Sequence, residues 1–192
     1  METIVLKFED ILENKKVDIF AKLLLEYNKI HNISGVKNLK DAKENVYDSV
    51  YPLKYLTSYP KTAIDIGSGA GFPAIALALF LEKCEFTLFE PIAKKSAFLH
   101  LIKNELTLSH VNIQTNRIEK SNKQVVDLIT SRAVGDTNML IELSNGFYDK
   151  DTTFLLYKGE KVEREIFGLE NVKIFEREKR KYLFIKGIEN VT

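Results

Sequence analysis

Residues 65–73 (DIGSGAGFP) carry the strongest chemical signal in the chain. Three alternating glycines follow an apolar, strand-like stretch, and Pro73 opens an apolar helix at a position where proline is favoured. Such a loop lets a ligand lie against bare backbone, and the helix N-terminus favours a carboxylate by about 0.3–1 kcal/mol. Phe72 stands where the dinucleotide fingerprint needs its third glycine. The loop therefore predicts a smaller zwitterionic ligand, with a ligand-free glycine turn as the alternative.

Glu90 is the second residue placed for ligand chemistry. It ends the next strand-like stretch and is followed by Pro91. In a doubly wound sheet, a carboxylate at the tip of the second strand lies beside the glycine loop and can accept both hydroxyls of a ribose. An ordinary solvated residue at a strand end is the alternative. Together the two elements predict an adenosine-type cofactor. The glycine spacing, Asp65 and a closing hairpin favour S-adenosylmethionine over NAD.

The elements that would position these residues alternate between strands and helices after Pro60, which is typical of βαβ units and a mostly parallel sheet. Strands are expected at 63–66, 85–89, 111–114, 126–130 and 152–157, with helices at 73–82, 93–106 and 137–146 between them. Two further strands, 172–175 and 182–186, flank the charged link 176–181 and predict an antiparallel hairpin. The expected fold is a Rossmann-like α/β domain with helices on both faces of the sheet.

The first 59 residues form a helical, Lys-rich extension, so the expected division is 1–59 and 60–192. Apolar residues recur there at helix spacing, and Pro52 predicts a break in the later helix. These apolar residues are Val17, Phe20, Ala21 and Leu24, then Ala42, Val46, Val50 and Leu53. Residues 28–35 read as a polar, turn-like link. The lysines indicate either an RNA-facing surface or a solvated helix face.

Composition limits the class of protein. With 192 residues, 45% hydrophobic and 29% charged, the chain suits one well-buried domain with an appendage. A net charge of +1 does not by itself demand a nucleic-acid partner. No signal peptide is visible, the longest apolar run (72–81) is too short for a membrane span, and Cys84 suits a buried, reduced thiol. A cytoplasmic protein without a membrane partner is expected.

Several motifs together resemble the RsmG (GidB) family of bacterial methyltransferases. The glycine loop alone is shared by many methyltransferases, whereas Ser-Arg-Ala after the fourth strand and Lys-Gly after the fifth are more specific. The matching residues are 27–28, 32–34, 48–49, 65–73, 94–99, 131–133 and 158–159. The resemblance implies methyl transfer to N7 of a guanine in 16S ribosomal RNA of the small ribosomal subunit, by a protein expected to be a monomer.

The resemblance also implies roles for individual residues. The methionine part of the cofactor would lie on Gly67, Ser68, Gly69, Gly71 and Phe72, next to Asp65. Glu90 would hold the ribose, where the family often has Asp, and Ile118 and Glu119 would flank the adenine. Arg132 and Lys158 would sit at the mouth of the site, facing RNA or cofactor. The family commonly has His where this chain has Asn45, so no imidazole is assigned a role.

The proposed reaction needs few acid–base groups, because guanine N7 already offers an in-plane lone pair. Positioning of the nucleophile and the methyl group therefore matters most. Asp48 is a candidate acceptor of hydrogen bonds from the guanine Watson–Crick edge. It could equally cap a helix or pair with another residue within the helical extension. Arg132, expected in the loop after the fourth strand, is favoured as functional. The three histidines stand at no metal or triad spacing, and no metal is expected.

Two other functions are compatible with the same residues. One is a methyltransferase acting on a small molecule or a protein, with the helical extension as a lid. The other is an inactive, cofactor-binding protein that serves as an RNA-associated scaffold. The intact glycine loop and Glu90 argue against loss of activity.

Overall fold

A computed structural model describes residues 5–160, 162–166 and 168–188. Its centre is a seven-stranded sheet in the order β3-β2-β1-β4-β5-β7-β6. The strands are β1 Thr62–Ile66, β2 Glu85–Phe89, β3 Val111–Gln114, β4 Leu128–Arg132, β5 Thr153–Lys158, β6 Val172–Arg177 and β7 Arg180–Lys186. The first five are parallel, and β7 pairs antiparallel with both β5 and β6. The predicted parallel sheet with a closing antiparallel hairpin is confirmed.

Helices cover both faces of the sheet. They are α1 Phe8–Glu13, α2 Lys15–His31, α3 Leu39–Val50, α4 Ala74–Ala78, α5 Ala93–Glu105, α6 Thr137–Leu143 and α7 Val162–Glu165, with 3-10 turns at Tyr51–Tyr55 and Ile118–Lys120. The predicted break at Pro52 is confirmed, because α3 ends at Val50 and Pro52 lies inside the 3-10 turn. None of the helices in the described ranges is long and apolar enough to cross a membrane.

The helical extension packs into the same apolar core as one face of the sheet. Its predicted core residues, among them Phe20, Leu24 and Val46, are fully buried in a cluster that also contains residues of α4, α5 and the strands. The Phe20 ring lies 5.1 Å from that of Phe72 in the glycine loop. Tyr157 of β5 donates a hydrogen bond to the main-chain oxygen of Ser49 in α3. The division at residue 59 stays a prediction, and the core runs across it.

Several predicted boundaries were wrong. The fourth strand, expected at 126–130, runs from Leu128 to Arg132, so Arg132 is the last residue of the strand and not part of the following loop. Val126 is buried but precedes the ladder, which explains why apolar character alone misplaced the strand. The helix expected at 73–82 is α-helical only from Ala74 to Ala78, because the chain then turns toward β2.

Two connections also differ from the expectation. The link expected at 28–35 begins only after His31, where α2 ends. The hairpin link expected at 176–181 is a turn at Glu178 and Lys179, because β6 and β7 pair up to Arg177 and Arg180. Cys84 is buried as expected, and burial raises the pKa of its thiol to about 12.

Phe20→Ala tests whether the extension folds as one unit with the sheet. The substitution leaves a cavity between α2, the glycine loop and α5, where the Phe98 ring lies 6.3 Å from that of Phe20. We expect the free energy of unfolding to fall by about 3–5 kcal/mol. Urea unfolding followed by far-UV circular dichroism should show one transition at lower urea. Ile30→Ala, at a position 80% exposed, is the control and should change little. A separate early transition for the extension would contradict the shared core.

Candidate functional site

A cavity of about 870 Å³ lies where the carboxyl ends of the central strands meet. The sheet order reverses direction between β1 and β4, and ligands of open α/β sheets bind in the crevice at such a point. The walls come from the glycine loop after β1, Glu90 after β2, residues 116–119 after β3 and residues 132–134 at the end of β4. The segment 33–36 and the start of α3 form the facing wall. The helical extension therefore contributes directly to the cavity.

The glycine loop is held in a conformation that only glycine adopts readily. Gly67, Gly69 and Gly71 have φ angles of 73°, 57° and 91°. A Cβ atom on Gly67 would collide with the Val134 side chain, and one on Gly71 would lie 2.9 Å from Ile75 Cγ1. The main-chain N–H of Gly67 donates to the Phe89 carbonyl at 2.9 Å. The loop is thus tied to the end of β2, beside Glu90.

Glu90 clamps two segments of the cavity wall. Its Oε2 accepts a hydrogen bond from the Gly69 N–H and its Oε1 accepts one from the Ile92 N–H, both at 2.8 Å. The residue is only 3% exposed but lines the cavity. Each carboxylate oxygen carries a second lone pair, so the predicted contacts with ribose hydroxyls remain open to it. Glu90 also has a structural role that the sequence did not indicate.

Asp65 is a fully buried carboxylate beneath the glycine loop. Its Oδ1 accepts a hydrogen bond of 2.5 Å from Thr130 Oγ1, whereas its Oδ2 has no hydrogen-bond partner within the described residues. Burial raises the pKa of Asp65 to about 6, although Thr130, Ser68 and Arg132 act in the opposite direction. A buried acceptor without a donor fits a site whose ligand brings a positive group, such as the ammonium of a zwitterion.

Arg132 projects from the end of β4 and is fixed on two sides. Its Nη1 donates to Asn45 Oδ1 at 3.1 Å, and its guanidinium lies 5.0 Å from the centre of the Phe72 ring. Burial lowers the pKa of the Arg132 guanidinium, and Asp48 opposes that shift. Asn45 was given no role from the sequence, yet it orients Arg132 and lines the cavity. The sequence feature that could have indicated this role is the position of Asn45, about one helical turn before Asp48 on α3.

Asn28 is another residue whose role the sequence did not show. Its Oδ1 accepts from the N–H groups of Ile33 and Ser34, both at 2.8 Å, and its Nδ2 donates to the Ser34 carbonyl at 2.9 Å and the Val36 carbonyl at 3.2 Å. One amide therefore satisfies four main-chain groups of the segment 33–36, which forms a wall of the cavity. The left-handed conformation of Asn32 directs the chain into this segment. Asn28 belonged to a recognised motif, but its sequence neighbours do not indicate its partners.

The predicted site residues divide into three groups. The cavity wall contains Gly67, Gly69, Phe72, Glu90, Ile118, Glu119 and Arg132. Three others support the wall from behind, namely the buried Asp65 and Ser68 and the packed Gly71. The remaining two, Asp48 and Lys158, line a second cavity of about 290 Å³ beside the first. Tyr182 donates to Asp48 Oδ1 at 2.8 Å, and Lys158 Nζ contacts Glu165 Oε2 at 2.7 Å.

The arrangement fits an adenosine-type zwitterion better than a metal. The cavity joins apolar walls to a few fixed polar groups, as small-molecule sites do, and exceeds the size of a single nucleoside. Glu90 supplies an acceptor on the side of the glycine loop, with the buried Asp65 beneath that loop, and Arg132 supplies a cation on the other side. Within the described residues, no group of three or more His, Cys, Asp or Glu side chains could hold a metal ion.

Comparison with known proteins gives one consistent result. A family model described as rRNA small subunit methyltransferase G matches residues 13–191. "Ribosomal RNA small subunit methyltransferase G" of Campylobacter fetus subsp. fetus (strain 82-40) is 48% identical over 175 residues, 91% of this chain and 94% of that protein. The protein of the same name from Wolinella succinogenes is 42% identical and covers 98% of this chain and 96% of that protein. A solved methyltransferase from Geobacter sulfurreducens shares the fold, with TM-score 0.66, 11% identity and coverage of 92% of this chain and 90% of that one.

Asp65→Asn tests the buried carboxylate through the pH dependence of stability. Because the pKa of Asp65 is about 6 in the folded protein against 3.8 ordinarily, the folded state holds the proton more tightly between these values. This residue's contribution to the free energy of unfolding is therefore fully present below about pH 4 and is lost as the pH rises through 6, by up to roughly 3 kcal/mol. Urea unfolding at pH 4 and pH 7 should show Asp65→Asn gaining stability relative to the native protein at the higher pH. An unchanged difference at the two pH values would contradict the raised pKa.

Proposed function

Because this chain belongs to the rRNA small subunit methyltransferase G family, we propose that it methylates N7 of a guanine in 16S ribosomal RNA. As a member of this family, the chain is an S-adenosylmethionine-dependent methyltransferase. The observation that carries the proposal is that the glycine loop and Glu90 face Arg132 within the cavity of about 870 Å³. One side of this cavity suits the methyl donor, and the other suits an electron-rich, anionic acceptor.

The donor side of the cavity is assigned to the residues that hold its wall. We infer that the loop Gly67–Phe72 contacts the methionine part, with the Asp65 charge beneath the ammonium group. Glu90 would accept the ribose hydroxyls, and Ile118 and Glu119 would flank the adenine. When bound, S-adenosylmethionine supplies an electrophilic methyl group on a sulfonium. The protein's own task is to orient that group and exclude water, because guanine N7 needs no proton removed before attack.

The acceptor side is assigned to Arg132. A guanidinium placed beside a sulfonium would be repelled by it, whereas an RNA substrate brings negative charge and the O6 acceptor of guanine. Phe72 and Asn45 hold the guanidinium, so it contributes to positioning with little loss of side-chain entropy on binding. Lys158 is proposed to act at the same mouth, though Glu165 holds its ammonium in the free protein. Asp48 as an acceptor for the guanine edge stays a prediction.

A methyl-transfer assay tests the proposed function directly. Small ribosomal subunits from cells lacking this enzyme should receive one methyl group per 16S RNA from S-adenosylmethionine, and mapping should place it on N7 of a guanine. Arg132→Ala should bind the demethylated cofactor normally in calorimetry and lose most methylation. Label appearing only on small molecules or proteins would support the alternative substrates. Cofactor binding without any transfer would support a scaffold.

Glu90→Gln tests the ribose side. The variant keeps the size of the side chain but removes its charge. It also replaces one of the two oxygens that accept from the Gly69 and Ile92 N–H groups with an NH₂ group, which cannot accept. We expect binding of S-adenosylmethionine to weaken by about 1.5–3 kcal/mol in calorimetry. Glu85→Gln, at an exposed position at the start of β2, the strand that Glu90 follows, is the matched control. Unchanged affinity in folded Glu90→Gln, or tight binding of NAD by the native protein, would refute the assignment.

A further inference from the structure

The second cavity adjoins the methyl-donor cavity and shares a wall with it. Arg132 and Ala133 line both cavities. The rest of the second cavity comes from the end of β5, from the hairpin residues 179–182, and from Asp48, Gly135 and Glu165. An acceptor strand whose reacting base enters the first cavity past Arg132 therefore has its neighbouring backbone close to the second one.

The lining of the second cavity has a surplus of positive charge. Five cations, Arg132, Lys158, Lys179, Arg180 and Lys181, face two carboxylates, Asp48 and Glu165. Glu165 Oε2 contacts Lys158 Nζ and accepts from Thr137 Oγ1 at 3.0 Å. Asp48 Oδ1 accepts from Tyr182, and Asp48 Oδ2 has only longer contacts with arginines. Lys179, at the tip of the turn, is exposed and makes no ion pair within the described residues. Lys181 is already paired with Glu163 and, at 3.3 Å, with Glu176, so the positive charge with the least compensation lies at Lys179 and Arg180.

The hairpin places Arg180 next to a second arginine, Arg177, which lies outside the cavity lining. Arg177 and Arg180 are directly opposite in the antiparallel ladder, and like charges in that position destabilise a sheet. Asp48 lies between them, with Oδ1 3.9 Å from Arg177 Nη1 and Oδ2 3.5 Å from Arg180 Nε, and Oδ2 is also 3.8 Å from Arg132 Nη1. Glu44 offsets Arg177 at 3.3 Å. Arg180 remains half-exposed, and among the residues that the structure describes its one ion-pair partner is the shared Asp48.

We propose that the second cavity binds a phosphodiester group of the RNA substrate, through Lys179 and Arg180 together with Arg132. The inference rests on the proposed function and adds the location of the backbone contact to it. A phosphodiester suits the site because guanidinium groups bind phosphate oxygens through two parallel hydrogen bonds, and the exposed ammonium of Lys179 adds a point charge. The base itself has room in the larger cavity, so the smaller one is left for the backbone beside it.

The double variant Lys179→Ala/Arg180→Ala tests this contact. Binding of unmethylated small ribosomal subunits should be measured across a salt series by filter retention. One phosphate contact on single-stranded RNA contributes roughly 0.7 to the slope of log affinity against log salt. We expect the slope to become less steep by about that amount, with lower affinity and lower methylation. Binding of the demethylated cofactor should stay unchanged, because neither side chain lines the donor cavity, and it shows that the variant is folded.

Lys173→Ala/Lys186→Ala is the matched control, since it removes two exposed cations from the far end of the same hairpin. A slope change confined to Lys179→Ala/Arg180→Ala supports the proposal. An equal slope change in both double variants would show that only the overall positive charge of the hairpin matters, and this would overturn the proposal. No change in either variant would overturn it too. If the native protein methylates the subunits while the Lys179/Arg180 variant matches it, this inference alone fails. If the native protein neither binds nor methylates them, the proposed function fails as well.

Discussion

One buried carboxylate, Asp48, holds together the parts of the chain that meet at the acceptor side of the site. Tyr182 of β7 donates to it, and Arg132 of β4, Arg177 of β6 and Arg180 of β7 lie within 3.9 Å of it. A charge buried at 4% exposure is costly unless partners compensate it, so Asp48 requires these cations just as they require Asp48. The helical extension, the parallel sheet and the terminal hairpin are thereby fixed relative to one another.

The donor side depends on a different constraint, which is the conformation of the glycine loop. Its positive φ angles leave main-chain N–H groups without helix or sheet partners. The Phe89 carbonyl accepts from Gly67 and Ser68, and the Glu90 carboxylate accepts from Gly69. The buried Asp65 lies beneath the same loop, and its Oδ2 has no hydrogen-bond partner within the described residues. Strained or poorly solvated groups are common at functional sites, and they persist there because the packing of the surrounding fold holds them in place. The donor wall is therefore built before any ligand arrives.

The helical extension completes the cavity rather than covering a finished domain. Asn28 satisfies four main-chain groups of the segment 33–36, and Asn45 orients Arg132 from α3. Phe20 packs against Phe72, so the extension also supports the glycine loop from behind. The Geobacter sulfurreducens methyltransferase keeps the fold at 11% identity. A sheet of this kind needs only the hydrophobic pattern and strand order, whereas the site needs particular side chains.

The sequence alone determined the order of strands and helices, the glycine loop and the position of Glu90, because each depends on periodicity or spacing over a few residues. The family resemblance added Arg132 and Lys158. Only the tertiary structure decided that β4 ends at Arg132, since a strand ends where its ladder of hydrogen bonds ends, and Val126 is just as apolar. It alone brought Asn45 to Arg132, 87 positions away, and Asp48 to Tyr182, 134 positions away. Such contacts follow from how the strands and helices assemble, and no local pattern in the chain records which distant side chains that assembly places together.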